Sequence, residues 1–248
     1  MPPLLRSLRV PALVVFCAAV VACSSSSSPP SATSATSTTS TTSAGGAAPP
    51  TSAAAAAAGA CGFTPDTSPT GPHPPGLPPA SPGRTSGTET VTLTLSQGVV
   101  TFREDDAKTP CTAASFRHLA AKGFFDGTPC HRLTTQGIFV LQCGDPTGTG
   151  SGGPGYTIPD ENLTGATYPA GTVAMANTGS PHTGGSQFFL VYAASSLPPQ
   201  YTPFGTVTGG LPVLQAIAKA GEDDSNGPGD GHPKQAVVIR SFRVVATA

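Results

Sequence analysis

Between Cys130 and Asp145 the chain reads CHRLTTQGIFVLQCGD, which packs two Cys, a His, an Arg, two Gln and an Asp into sixteen residues. Cys and His close together suggest zinc, and a Cys beside a base suggests a nucleophile. Zinc is disfavoured, because there is no C-x-x-C and the adjoining Cys130 and His131 form a poor chelating pair. A reactive thiolate needs a nearby base and a lowered pKa, and no arrangement in the sequence supplies them. From Phe139 to Gly221 the only acidic and basic residues are Asp145, Asp160, Glu161 and Lys219, with His182 the sole His. General acid–base chemistry wants two groups tuned apart in pKa, and the adjacent Asp160 and Glu161 would point apart on a strand. GTGSGGPG lacks the spacing of a phosphate loop, and GGSQ is not a nucleophile elbow.

What remains is one rigid five-donor fork, Arg132, and three neutral amides, Gln142, Asn177 and Gln187. Phe139, Phe188, Phe189 and Leu197 add apolar surface. A concave apolar patch with a few convergent neutral polar groups suits an uncharged peptide. Singly, each residue has an ordinary reading: a strand Phe is core, a lone Asn or Gln is a turn or surface group, a lone Arg is solvated. The functional reading rests on their joint order.

The elements that would carry these groups are mostly strands. TVTLTLS alternates Val91, Leu93 and Leu95 with Thr, the pattern of a half-buried strand. QG followed by VVTFR suggests a hairpin. TPCTAASFRHLAAKG reads as a helix, with Thr109 as cap, Pro110 in the first turn, Gly123 past the end, and Ala113, Phe116, Leu119 and Ala120 on one face. A second short helix is expected at LPVLQAIAKAG, stopped by Gly221, and QAVVIRSFRVV reads as a closing strand. Many short strands with two helices point to a mainly β barrel or sandwich rather than a βαβ sheet.

The first 22 residues carry Arg6 and Arg9, no acid, and then a short apolar run, which is the form of a secretory signal too short to span a bilayer. The run ends VVAC, and the small residues before Cys23 resemble a bacterial lipobox. That resemblance implies cleavage before Cys23, acylation of its sulfur, and anchoring to the outer face of the cell membrane; an ordinary signal with an incidental Cys is the alternative. Loss of the leader leaves 10 basic residues against 13 acidic, a net charge of -3 with no basic run, so nucleic acid is not an expected partner. Residues 24–60 are all Ser, Thr, Ala, Gly or Pro and cannot bury enough apolar surface to offset the entropy of ordering. With the Pro-rich stretch to residue 86 they are read as a disordered, extended tether, 23–86, that could be O-glycosylated, and the folded domain is placed at 87–248.

With Cys17 in the leader and Cys23 lipidated, Cys61, Cys111, Cys130 and Cys143 remain, an even number in an oxidising compartment. Of three possible connectivities, Cys130–Cys143 is favoured because the segment between them could fold back as a hairpin. Cys61–Cys111 would then pin the extended N-terminal segment to the first helix.

The motifs HRL…IFVLQCGD…GTG, GTVAMANTG…GGSQFFL and LPPQYTPFGTV, in that order, resemble the cyclophilin-type peptidyl-prolyl isomerases over roughly residues 88–245. The resemblance implies a closed eight-stranded antiparallel β-barrel capped by two helices and catalysis of X-Pro rotation in extracytoplasmic proteins. The implied ligands are proline-containing peptides or unfolded secreted proteins, with no cofactor and no metal, the chain acting as a monomer. By motif, Arg132, Phe139 and Gln142 are the catalytic positions. Val140 (where Met is usual), Ala176, Asn177, Gln187, Phe189, Leu197 and Tyr201 would bind substrate, with Phe139, Phe189 and Leu197 around the proline ring. A binding module of the same fold with little turnover is the competing reading. The loop between Arg132 and Phe139 is about two residues longer than usual, NTGSPHTGGSQ about one longer, and the family's drug-binding Trp is replaced near Ser196, which implies weakened cyclosporin binding.

Overall fold

The alternation of Val91, Leu93 and Leu95 does produce a strand, β2 (Thr88–Leu95), whose inward side chains are at most 2% exposed. In the structure, a computed structural model, residues 60–247 are described. The leader, Cys23 and the tether as far as residue 59 lie outside the described residues.

β2 turns into β3 (Gly98–Asp105) through Ser96 and Gln97, with Leu95 opposite Gly98, so the two-residue loop is one position earlier than QG suggests. Helix α1 (Pro110–Ala121) follows as expected, with Gly123 in the left-handed region (φ 65°) just past its end. Its N-terminal donors are not capped by Thr109, whose hydroxyl is spent on the Asp105 carbonyl. Glu161 does the work: its carboxylate accepts from the Cys111 and Thr112 backbone N–H groups at 3.0 and 2.8 Å. An anion at a helix N-terminus also meets the positive end of the dipole.

Strands β4 (Arg132–Thr134), β5 (Val140–Cys143), β7 (Thr172–Met175), β8 (Phe188–Val191) and β9 (Pro203–Gly209) come next. They are followed by helix α2 (Leu211–Ala220), ended by Gly221, then β10 (Asp230–Gly231) and β11 (Ile239–Thr247). The antiparallel order is β10-β4-β5-β8-β7-β9-β3-β2-β11. The sheet is therefore a curled, open set of nine strands and not a closed eight-stranded barrel. Near its two ends, residues 127–130 meet 237–239 through three backbone bonds, Gly127 to Ile239, Ile239 to Thr128 and Cys130 to Val237, with Pro129 bridging Val238. Pro129 has no N–H to extend that ladder, and β4 is three residues long.

The concave face packs on α1 through Phe102, Phe116, Phe125, Phe188, Phe204 and Phe242, whose neighbouring rings lie 4.5–6.1 Å apart. Each such ring, fully buried, contributes on the order of 1.5–3 kcal/mol. Phe188 is thus wholly core and not part of the apolar surface expected for the site, because it alternates with Phe189 along β8. At one end of the same face sit three buried acids. Glu89 and Asp106 share Arg117 (2.7 and 3.0 Å), while both oxygens of Glu104 lack a partner among the described residues.

Residues 60–86 differ from the expected tether. Cys61 is bonded to Cys111 on α1, Arg117 donates to the Pro82 carbonyl, and the His118 ring lies 3.1 Å from the Pro75 carbonyl. Strand β1 (Thr64–Pro65) pairs with β6 (Tyr156–Thr157), and Phe63 meets the Tyr156 ring edge-on at 5.6 Å. A disulfide and a set of backbone bonds therefore bring the ordered chain back to residue 60, well before Gly87. The second disulfide joins Cys130 to Cys143, so both favoured pairings are present.

Candidate active site

Strand register puts the candidate residues in one row. Arg132 on β4 lies opposite Gln142 on β5, Gln142 opposite Phe189 on β8, and Phe189 opposite Ala174 on β7. Successive side chains alternate faces, so this row and the neighbouring Val140 and Val191 stand on the convex face while Leu141, Cys143, Phe188 and Leu190 enter the core. Tyr168 and Phe189 anchor a small convex apolar cluster, with Leu197 and Tyr201 packed against it.

Above that cluster is a cavity of about 100 Å³. Val140, Phe189, Leu197 and Tyr201 form its apolar floor and wall; Arg132, Gln142, Ala176 and Asn177 supply the polar side. Ile138 completes the lining. Phe139 does not take part: its half-buried ring packs edge-on against Tyr192 at 6.0 Å, and its backbone N–H donates to the Ser195 hydroxyl. Val140 and Gln142 face outward on β5, so Phe139 faces the other way and Ile138 takes its place. Phe189 meets Tyr201 edge-on at 5.5 Å, and the Tyr168 hydroxyl closes the corner by donating to the Tyr201 carbonyl at 2.8 Å.

The guanidinium of Arg132 is held from two sides. Its Nε and Nη2 donate to Asp230 at 2.8 and 2.6 Å, and Nη1 donates to the side-chain Oε1 of Gln142 at 3.3 Å. Three of the five donors are used, leaving two for a bound chain. The hydrogen bonds that Arg132 donates to Asp230 raise the Arg132 pKa further, and the same bonds pull Asp230 below the usual carboxylate range. Gln142 passes its other end to Gln187 (2.8 Å), and Gln187 donates to the Gly150 and Gly152 carbonyls at 2.9 Å each. That Gly-rich loop is in turn wound around buried Asp145. Burial alone would raise the Asp145 pKa, but bonds from Thr147, Gly152 and Gly150 hold it below its ordinary value.

Asp145 is thus a scaffold, as is His131, whose pKa burial depresses. Asn177 donates to the Gln200 carbonyl at 2.8 Å and keeps its turn by accepting from Gly179. The long loop after β4 is tied down by a bond from Thr135 N–H to the Gly229 carbonyl and by one from its hydroxyl to Glu222. Sequence reasoning missed Asp230 and Ile138. An acid almost a hundred residues from Arg132 leaves no local signal, whereas the period-2 pattern around Val140 could have placed Ile138.

The arrangement offers no nucleophile and no acid–base pair. It can hold an apolar ring beside a fixed cation and line a peptide along Ala176 and Asn177. The family model described as "Cyclophilin type peptidyl-prolyl cis-trans isomerase/CLD" matches residues 90–244. The "Probable peptidyl-prolyl cis-trans isomerase B" of Mycobacterium tuberculosis is 46% identical over 180 residues, which cover 67% of this chain and 56% of that protein. The protein of the same name from Mycobacterium leprae is 46% identical over 171 residues, covering 63% and 57%. The chain therefore spans a little over half the length of these relatives. A crystal structure of a Cryptosporidium parvum cyclophilin-type peptidyl-prolyl cis-trans isomerase superposes with a TM-score of 0.57 at 29% identity, covering 65% of this chain and 99% of that one. A second crystal structure of that protein, in the presence of the dipeptide Ala-Pro, gives 0.54 at 29% identity, covering 64% and 99%.

Proposed function

Because the chain belongs to the cyclophilin-type peptidyl-prolyl isomerase family, we propose that it catalyses cis–trans rotation about X-Pro bonds in proline-containing peptides and unfolded secreted proteins. The observation that carries this reading is the doubly held Arg132 at the rim of the cavity formed by Val140, Phe189, Leu197 and Tyr201. Rotation about a peptide bond faces a barrier of about 18–20 kcal/mol because resonance gives the C–N bond double-bond character. Uncatalysed X-Pro exchange takes tens to hundreds of seconds. A catalyst of this step needs only to bind the twisted amide better than either planar form. In the twisted state the prolyl nitrogen is pyramidal and regains its lone pair. The two free donors of Arg132 stabilise that lone pair, the apolar cavity fixes the ring, and Ala176 and Asn177 hold the flanking backbone. Gln142 keeps the guanidinium aimed. A preorganised donor of this kind supplies a few kcal/mol.

A protease-coupled isomerisation assay of the full chain on X-Pro peptides tests the reading. Arg132→Ala lowers kcat/KM by at least ~100-fold, about 2.7 kcal/mol; a loss under threefold, or a wild-type chain that binds such peptides without accelerating exchange, overturns it in favour of a binding module.

The cellular setting is part of the same proposal: an extracytoplasmic enzyme held on the outer membrane face through acylated Cys23. The basic, then apolar N-terminus ending in VVAC supports it, as do two disulfides of the kind that persist in oxidising compartments. Detergent-phase partitioning of the mature chain should be lost in Cys23→Ser; equal partitioning of both forms refutes the anchor.

A further inference from the structure

Next to the ring cavity lies a second, larger one of about 380 Å³. The two share Gln142, Ala176 and Asn177, so they open onto one continuous groove. Small residues, among them Gly152, Gly185 and Ser186, line it, and its volume admits a long side chain. One wall does not come from the region that defines the family. It is built by Asp66 and Ser68, upstream of residues 90–244.

That upstream segment is fixed in place. The Asp66 backbone N–H donates to the Gly155 carbonyl at 3.0 Å, Gly153 N–H donates to the Pro69 carbonyl at 3.0 Å, and Gly155 N–H reaches the Ser68 hydroxyl at 3.3 Å. Strand β1 and the Cys61–Cys111 disulfide hold it from the other side. Asp66 accepts from the Ser68 N–H and hydroxyl through Oδ1, at 3.0 and 2.7 Å, leaving Oδ2 without a partner among the described residues. Among the described residues Asp66 is the only ionisable side chain lining the cavity; every other polar group there is an amide, a hydroxyl or backbone.

Resting on the isomerase reading above, we propose that this cavity is a specificity subsite for a lysine or arginine side chain of the bound polypeptide, selected by the carboxylate of Asp66. A chain lying across Ala176 and Asn177 with its proline in the ring cavity advances about 3.3 Å per extended residue. A side chain within about three residues of the proline therefore reaches the second cavity. A long cation lays its methylene stem across the cavity and carries its charge to the exposed Asp66. A glutamate in the same place meets like charge. An exposed ion pair is worth up to about fivefold in an equilibrium constant and is weakened by salt.

The test uses the full chain and Ala-Pro-containing peptides in which Lys, Ala or Glu is placed one, two or three residues from the proline on either side. Both kcat/KM and equilibrium binding are measured, in wild type and in Asp66→Asn and Asp66→Lys. Asn keeps the acceptor for Ser68 and so keeps the turn. At one or more positions the wild type should favour Lys over Glu by about five- to tenfold, less at 0.5 M salt. Asn should bring the Lys/Glu ratio close to one, and Lys should invert it. A wild-type ratio below about 1.5 at every position, or one that survives in Asp66→Asn, overturns the subsite. Failure of the isomerase reading looks different, since no peptide would then be turned over while the Lys/Glu binding ratio would still decide for or against the subsite.

Discussion

Asp230→Asn removes the charge that braces Arg132 while leaving the fold's volume intact. In the native site, Nε and Nη2 make two parallel bonds to Asp230, and among the described residues the only other hydrogen bond of the fork is the longer 3.3 Å one from Nη1 to Gln142. Asn retains one acceptor but turns its second oxygen into an NH2 group that faces a guanidinium donor. One charge-assisted bond is lost and one donor–donor contact is created. A buried bond of this type is worth about 1.5–3 kcal/mol. Here the Arg132 side chain is 36% and that of Asp230 26% exposed, so water replaces part of it and the expected loss is about 1.4 kcal/mol. If the loss falls on orientation in the twisted state, kcat/KM drops about tenfold. Because Asp230 acts only through Arg132, Asp230→Asn placed on Arg132→Ala should cost no further activity. Isomerisation assays on the four members of the cycle decide the matter. A single-variant loss below twofold, or a double variant in which the two losses simply add, refutes the claim that Asp230 positions the guanidinium.

Glu104 provides a pH signature of stability. Burial, and then the charge of Glu89, raise its pKa well above the ordinary value, so the folded chain keeps a proton that the unfolded chain releases above about pH 4.3. That contribution is complete below the unfolded pKa and is lost as pH climbs toward the raised folded value; Tm should therefore decline over this window in wild type and less steeply in Glu104→Gln. Parallel Tm profiles would refute it. Replacing Cys61 and Cys111 by Ser opens a loop with a sequence separation of 50, which the chain-entropy relation values at roughly 4 kcal/mol. Denaturant unfolding should read 2–4 kcal/mol, and a change below 1 kcal/mol would show that strap and domain are held by other contacts.

Legibility from sequence followed the range of the forces. The β2 alternation, the Phe116 face of α1 and the stop at Gly221 are local patterns, and each element formed where its pattern lies. The Cys130–Cys143 pairing rests on a separation of 13 and was within reach for the same reason. Contacts across the sheet were not. Glu161 caps α1 from about fifty residues away, displacing the obvious Thr109. The outward side of β5 was decided by its neighbours, so Phe139 turned to Tyr192 and Ile138 entered the cavity lining. The ends of the sheet stayed open because residues 127–130 meet 237–239 through only a few bonds. Pro-rich composition suggested that residues 61–86 are featureless, yet one disulfide and a two-residue strand fix them against α1 and β6.

The row Arg132–Gln142–Phe189–Ala174 joins two local hairpins, β4–β5 and β7–β8, through the pairing of β5 with β8. Two of its neighbours in the sheet, β5 and β8, meet only after the whole stretch between residues 143 and 188 has been placed. Either hairpin alone holds only two members of the row, and the β5–β8 pairing that unites them is long-range. The proposed isomerase activity should therefore report the completed β5–β8 pairing. During refolding its recovery should coincide with the last cooperative step, and nascent chains should gain no help from their own unfinished copies.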